Sequence, residues 1–223
     1  MNFLSNKGWI YLLVFCWSVP ALSQFNIKVG YNGAIVKAPS LNNMITSYNN
    51  NLTTIYDELE KFTSLHGLEI GVRYRIGSAG FEASWSSINN STDVFGAING
   101  ANFSKKYWLS LTEYALHAES YFSYFGFGAG LGYRTARMKT DIPGSRRKKQ
   151  ELDVSSGYNG KLYLIFQIPG DNVALVLKPY VQIPFSKLQF EGFAEQLGLN
   201  PVPDSNDDFR VFGLSILLYN GKQ

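Results

Sequence analysis

The stretch FGFGAGLGYRTARM, Phe125 to Met138, decides how the rest of the chain is read. Glycine takes every second place, at Gly126, Gly128, Gly130 and Gly132, and Phe127, Ala129, Leu131 and Tyr133 take the places between. A period of two is the signature of a strand with two different faces. Glycine inside a strand weakens it and marks a site where something else approaches closely. The segment therefore reads as a strand that is thin on one face and apolar on the other. It is not a dinucleotide-binding loop, because Leu131 and Tyr133 stand where the third glycine of that motif would fall.

The same period recurs along the chain. Phe25, Ile27, Val29 and Tyr31 alternate with Asn26, Lys28 and Gly30, and Leu68, Ile70, Val72, Tyr74 and Ile76 oppose Glu69, Gly71, Arg73 and Arg75. Phe81, Ala83 and Trp85 face away from Glu82, Ser84 and Ser86, and Leu162, Leu164, Phe166 and Ile168 from Asn159, Lys161, Tyr163 and Gln167. Leu175, Leu177, Val181 and Ile183 oppose Lys178, Tyr180 and Gln182, and Phe212, Leu214, Ile216 and Leu218 oppose Gly213 and Ser215. Between Lys105 and His117 the phase changes: Tyr107, Leu109 and Leu111 fit one face, Tyr114 and Leu116 the other. A β-bulge near Thr112 or Glu113 would reconcile them. The expectation is eight strands of about ten residues.

The connections separate the fold classes. Short ones (Gly77 to Gly80, Ala118 to Ser123, Pro169 to Asn172) alternate with long ones (Lys37 to His66, Ser87 to Ser104, Lys139 to Asp153, Pro184 to Asp208). All long loops then leave one end, with both termini at the other. That is the layout of an all-β, eight-stranded, antiparallel up-and-down transmembrane β-barrel, with short periplasmic turns and long extracellular loops. A soluble lipocalin-like carrier uses the same alternation with its apolar face inward. The first-strand Gly-x-Trp signature of lipocalins is absent, the long loops gather at one end, and aromatics recur near strand ends (Tyr31, Trp85, Tyr107, Tyr124, Tyr133, Tyr158, Tyr219), which favours the membrane barrel.

Residues 1–23 read as a signal peptide: Lys7, an apolar run from Trp9 to Val19 too short to span a bilayer, and small residues at Ala21 and Ser23. Bulky Phe15 before Cys16 argues against a lipoprotein. The barrel domain is then 24–223, exported to the bacterial outer membrane. Cys16 is the chain's single cysteine, so the mature protein holds no disulfide. Without Lys7 the 20 basic residues become 19 against 17 acidic ones, a balance that gives no case for nucleic acid.

The stretch GLEIGVRYRIGSAGFEASW, Gly67 to Trp85, resembles the strand–turn–strand unit of the outer membrane protein β-barrel family, the OmpA-like eight-stranded barrels with their PorT-type relatives. APSLNN (Ala38 to Asn43) and KPYVQIPF (Lys178 to Phe185) add to the resemblance, which covers the chain from Gln24 onward. It implies the barrel fold and no catalytic residues. The C-terminus departs from many such barrels, since NGKQ follows Tyr219.

Inside such a barrel the inward set would be Lys28, Glu69, Arg73, Arg75, Glu82, Lys161, Lys178, Tyr180 and Gln182, read as a filled core of ion pairs and hydrogen bonds rather than a conduit. With two acids against many bases, some charge would need water or tyrosine. Loop 1 carries a helical signal, with Ser40 as cap after Pro39 and apolar residues at spacings of three and four from Leu41 to Phe62; the run Asn49 to Asn51 divides it into two helices. Loop 4 repeats this with Leu188, Phe193, Leu197 and Leu199. The apolar face of loop 1 either packs on the barrel or meets an envelope protein partner. Arg146, Arg147, Lys148 and Lys149 are candidates for lipopolysaccharide head groups, the other expected partner together with outer-membrane lipid. Asp204 to Asp208 mimics the start of a calcium loop but has Phe209 in place of its glycine.

No hydrolase, zinc-protease or phosphate-loop motif occurs, and His66 and His117 fall at opposite strand ends. The sequons at Asn51, Asn89, Asn90 and Asn102 stay unmodified in a bacterial outer-membrane protein. The sequence thus points to a non-enzymatic barrel with a structural, adhesive or envelope-accessory role and no cofactor. The alternatives are a small-barrel lipid-modifying enzyme, for which His66 is the only histidine at the extracellular end, and the soluble carrier.

Overall fold

The structure is a computed structural model and describes residues 25–51, 55–98, 101–142, 145–201 and 203–220. The expected signal peptide and Cys16 lie outside the described residues. In chain order the elements are β1 (Phe25–Lys37), α1 (Pro39–Asn51), β2 (Ile55–Asp57), β3 (Ser64–Ile76), β4 (Ala79–Ile98), β5 (Ala101–Phe122), β6 (Phe125–Ile142), β7 (Ser145–Ile168), β8 (Val173–Pro184), β9 (Leu188–Gln189), α2 (Glu191–Gln196), β10 (Asn206–Asp207) and β11 (Arg210–Asn220). The eight long strands pair antiparallel in the ring β4-β3-β1-β11-β8-β7-β6-β5, closed by β5 on β4. Closure leaves no edge at membrane level, where an unpaired backbone group could find no water. The tight turns, with Gly77 and Ser123 both at φ 57°, sit at the end that carries Phe25 and Asn220.

The strands are longer than the expected ten residues: β4 has 20, β5 22, β6 18 and β7 24. The expected loops Ser87–Ser104 and Lys139–Asp153 are therefore mostly strand. The β4–β5 ladder runs unbroken to Ile98 opposite Ala101, and β6 pairs with β7 as far as Ile142 opposite Ser145. These four strands rise past the rest of the barrel as a blade. Likewise β5 continues through Ala118 to Phe122, which shortens the turn there to Ser123 and Tyr124.

No bulge interrupts β5 near Thr112 or Glu113; its register with both neighbours is continuous there. The polarity of the two faces inverts instead. Below the inversion Glu113, His117 and Glu119 point in, and Tyr114 and Leu116 are exposed; above it Tyr107, Leu109 and Leu111 are the buried ones. The neighbours do the same. On β4, Glu82 and Ser86 are interior below, Ile88 and Val94 above; on β6 the glycines give way to Ala136 and Met138. The register shifts that do occur lie in β6–β7, at Met138/Lys139 and Asp141/Ile142.

The apolar upper interior exists because the loops fill it. In loop 1, α1 buries Leu41, Met44, Ile45 and Tyr48, and the return segment buries Leu59 and Phe62. The second expected helix is not formed: after Asn51 the chain makes the short strand β2 on β4 and then runs irregularly, held by two asparagines of α1. The Asn42 side chain accepts from Phe62 N–H and donates to its carbonyl (3.0 and 3.3 Å), and Asn49 does the same for Leu59 (3.2 and 3.0 Å). In loop 4, Leu188, Phe190, Phe193, Leu197 and Leu199 are buried around α2, with Phe193 edge-on to Tyr107 at 5.2 Å.

Candidate functional site

The lower interior is one connected polar network. Lys28 donates to Glu69 and, at 2.6 Å, to Glu82; Lys178 donates to Glu82 and Glu119, both at 2.7 Å. Lys161 lies 3.7 Å from Glu69 and 4.3 Å over the Tyr180 ring. Arg73 donates to Asn26 and to Tyr121, each at 2.8 Å, and stacks 4.1 Å over Tyr219. Tyr180 donates to Asn32, and Gln182 to Glu113, both at 2.7 Å. In the ring order β4 and β8 are diametrically opposite, so the Glu82–Lys178 pair reaches across the bore and closes it at that level.

Of the nine residues expected inside, eight are buried and bonded to one another or to neighbours of this network. Arg75 is the exception: it sits at the periplasmic mouth, partly exposed, donating to the Gly77 carbonyl at 3.0 Å and stacked 4.2 Å over Tyr121. The apparent shortage of acids arose because Glu113 falls at the expected bulge and Glu119 in the expected turn Ala118 to Ser123, whereas both stand in the inward phase of β5. With the continuous register, four buried acids of this interior (Glu69, Glu82, Glu113, Glu119) face four buried bases (Lys28, Arg73, Lys161, Lys178) among the described residues, while Arg134 above them donates to the Phe209 and Asp208 carbonyls. Isolated buried ions are prohibitively costly, and matched numbers with bonds at hydrogen-bond distance remove that cost. Tyrosines add donors: Tyr163 to Glu119 and Tyr219 to Glu82, both at 2.7 Å. Tyr219 and Tyr107, expected in the interfacial girdle, are instead fully buried, because both stand in the inward phase of their strands.

The glycines of β6 make room for this network. A Cβ on Gly132 would come 2.5 Å from the Glu113 carboxylate, and one on Gly126 would come 2.6 Å from the Ser120 carbonyl; Gly128 faces the Tyr163 ring and Gly130 the His117 ring. On the outer face Trp85, Tyr114, Tyr133 and Tyr158 are successive partners in one row across β4 to β7.

The extracellular cap is tied on by two buried-side aspartates. Asp207 accepts from Leu41 N–H at 3.0 Å and so caps α1 from 166 residues away, in place of the expected Ser40. Asp153 accepts from Gly192 and Phe193 N–H (2.8 and 2.7 Å) at the start of α2. A carboxylate at a helix start satisfies free N–H groups and meets the positive end of the dipole. Burial nevertheless pushes both carboxyls above the usual range, and it outweighs the opposing backbone hydrogen bonds. Asp204 only caps its own turn at Asn206.

Among the described residues the two histidines lie far apart, one inside the bore and one outside. Ser84 and His117 Nε2 are 3.0 Å apart but lie inside the bore, and His117 Nδ1 has no partner. His66 stands on the exposed outer face of β3. Among the described residues no group of His, Cys, Asp and Glu has metal-binding geometry. Lys149 lies 3.8 Å over the Trp108 ring and Lys106 6.0 Å, both on the outer face of the blade; Lys148 is exposed, and the side chains of Arg146 and Arg147 lie outside the described residues.

No family model matches the chain, and no curated protein matches its sequence. Among solved structures it resembles Ail, the attachment invasion locus protein of Yersinia pestis, in complex with the heparin analogue sucrose octasulfate. The TM-score is 0.51 at 12% identity, over 88% of this chain and 96% of that one. The fold is an eight-stranded transmembrane β-barrel. Neisserial surface protein A also aligns, at TM-score 0.46 and 13% identity, over 89% of this chain and 97% of that one. The soluble-carrier alternative is the one the fold sets aside: the apolar face here is the outer one, with Leu116 and Leu131 more than three-fifths exposed (69% and 67%).

Proposed function

We propose that this chain is a non-enzymatic integral protein of the bacterial outer membrane whose task is attachment, with the barrel as anchor and the blade as contact face. The blade carries the reading. Strands β4 to β7 continue as a paired sheet past the lipid-facing rows, and on its outer face Trp108 is flanked by Lys149 and Lys106. Cations over an indole face form a rigid, partly desolvated basic surface suited to sulfated or phosphorylated sugars. Likeness to an attachment protein that binds a heparin analogue supports the same reading. The basic run Arg146, Arg147, Lys148 and Lys149 retains its proposed contact with lipopolysaccharide head groups. A protein partner at loop 1 would meet Tyr56, exposed and stacked on Phe95 at 5.4 Å, since the apolar face of α1 is already covered. The closed bore supports an anchor that does not conduct, and the placement with OmpA-like, PorT-type barrels belongs to the same proposal.

The test is adhesion of cells displaying the protein to immobilised heparin, compared with cells displaying Trp108→Ala/Lys149→Gln. The proposal expects most of the adhesion to be lost at equal surface display. Undiminished adhesion, or none by the parent protein, overturns it.

A further inference from the structure

On the side of the ring away from the blade, the short strands β1 and β11 bring two cations face to face. Lys37 and Arg210 are direct partners in the ladder, and both side chains are on the outer face. Like charges directly opposite on a sheet destabilise it. Among the described residues the one acid paired with either is Asp208, 3.7 Å from Arg210 with both side chains exposed, an arrangement that contributes little. The Lys37 ammonium lies 5.4 Å over the Phe212 ring, just below.

Under this pair the lipid-facing surface is grooved. Ile35 pairs with Phe212, and in the next row down Gly33 stands between Leu214 and His66, so that row lacks its middle side chain and the Tyr31 ring leans over the position, 3.1 Å from where a Cβ would stand. The gap is a furrow of about 500 Å³ lined by Tyr31, Ile35, Phe212 and Leu214. On the other flank of Phe212 a second furrow of about 480 Å³ has Ile183 and Phe185 in its apolar lining and Lys187, Arg210 and the Asp208 carboxylate in its polar lining. Both open at the long-loop end of the barrel, beside the outer leaflet.

We infer that this face binds one phosphorylated glycolipid of the outer leaflet, with a phosphate between Lys37 and Arg210 and acyl chains in the furrows on either side of Phe212. A phosphate relieves the repulsion of the opposed cations and gives them charge-assisted hydrogen bonds. Two slots separated by one ring suit a lipid with several chains, and Lys187 offers a place for a second phosphate. The inference uses the outer-membrane location and is independent of the attachment role.

The test is native mass spectrometry of the folded protein in detergent, titrated with diphosphorylated lipid A, its dephosphorylated form, and phosphatidylglycerol. The parent protein is expected to retain one lipid A. Lys37→Gln/Arg210→Gln should weaken retention about tenfold or more, and Lys61→Gln, which removes an exposed loop 1 charge assigned to no lipid contact, should leave it unchanged. Folding is checked by the heat-modifiable gel shift, and removing two exposed like charges does not threaten it. Gly33→Leu, which fills the furrow, should weaken lipid A retention without changing the preference for its phosphates. Equal retention by the Lys37/Arg210 variant, or retention of phosphatidylglycerol as tight as that of lipid A, overturns the inference. Failure of the parent chain to give a heat-modifiable species in detergent overturns the membrane reading itself.

Discussion

Divided at the row Trp85, Tyr114, Tyr133 and Tyr158, the barrel has two storeys built on opposite rules. In the lower one the interior is charged and the exterior apolar: Glu82, Lys178 and Glu119 meet inside while Leu116 and Leu131 face out. In the upper one the interior is apolar and the exterior polar: Leu109, Met138 and Phe193 meet inside, and Ser91, Thr135 and Arg137 stand on the outer phase of their strands. The same strands pass through both without losing register. The surroundings decide. Where lipid is outside, polar groups are driven inward and must be matched there; where water is outside, the ordinary hydrophobic effect fills the inside with α1, α2 and the aromatics of loop 4.

The two storeys should therefore fail in different ways. The largest effect is expected where the lower interior is overfilled. Gly130→Leu would set a branched side chain against the His117 ring and within 2.6 Å of the Leu116 carbonyl, so no heat-modifiable species should form, whereas Ala129→Leu on the lipid face should fold normally. Next is the removal of a shared ion. Glu82→Ala leaves Lys28 and Lys178 short of a partner and should cost about 3–5 kcal/mol in urea unfolding of the detergent-folded barrel. Phe193→Ala should also cost several kcal/mol, about 3–5, but only in the cap: limited proteolysis should open loop 4 while the gel shift persists.

Smaller still is the loss of a cap from a distance. Asp207→Ala should lower cap stability by about 1–2 kcal/mol and speed cleavage in loop 1, 166 residues away in sequence. The smallest effect is with pH. Asp207 and Asp153 have folded pKa values above the ordinary carboxyl, so the fold prefers them protonated. Their contribution is complete below the unfolded pKa and is lost as pH rises through the folded one. The cap should resist proteolysis, measured with an acid-tolerant protease, slightly better as pH falls from about 7 toward about 4, and Asp207→Asn should flatten that slope.

The two storeys also differ in how far they could be read in advance. The lower one was legible because eight segments repeat a single template, apolar out and polar in, and the alternation of short and long connections sets the topology. Lys28, Glu69, Arg73, Glu82, Lys161, Lys178, Tyr180 and Gln182 follow from that phase alone. The template stops matching where water replaces lipid, so the upper halves of β4 to β7 looked like loops and the inversion in β5 looked like a bulge. The bulge at Glu113 and the turn read at Ala118 to Ser123 hid Glu113 and Glu119, although an uninterrupted period of two from Tyr107 to Tyr121 would have found both. The caps carried no local signal: Asp207 and Leu41 meet only because the ring brings loop 4 over loop 1.

The most direct test of the inversion is a spin-label accessibility scan along β6, using single cysteines introduced into a Cys16→Ser chain reconstituted in bilayers. A label at Leu131 should be relaxed by oxygen dissolved in the lipid and shielded from a water-soluble nickel complex, and a label at Arg137, on the same face six residues on, should show the reverse. Nickel access at both positions, or lipid contact at both, would contradict the account.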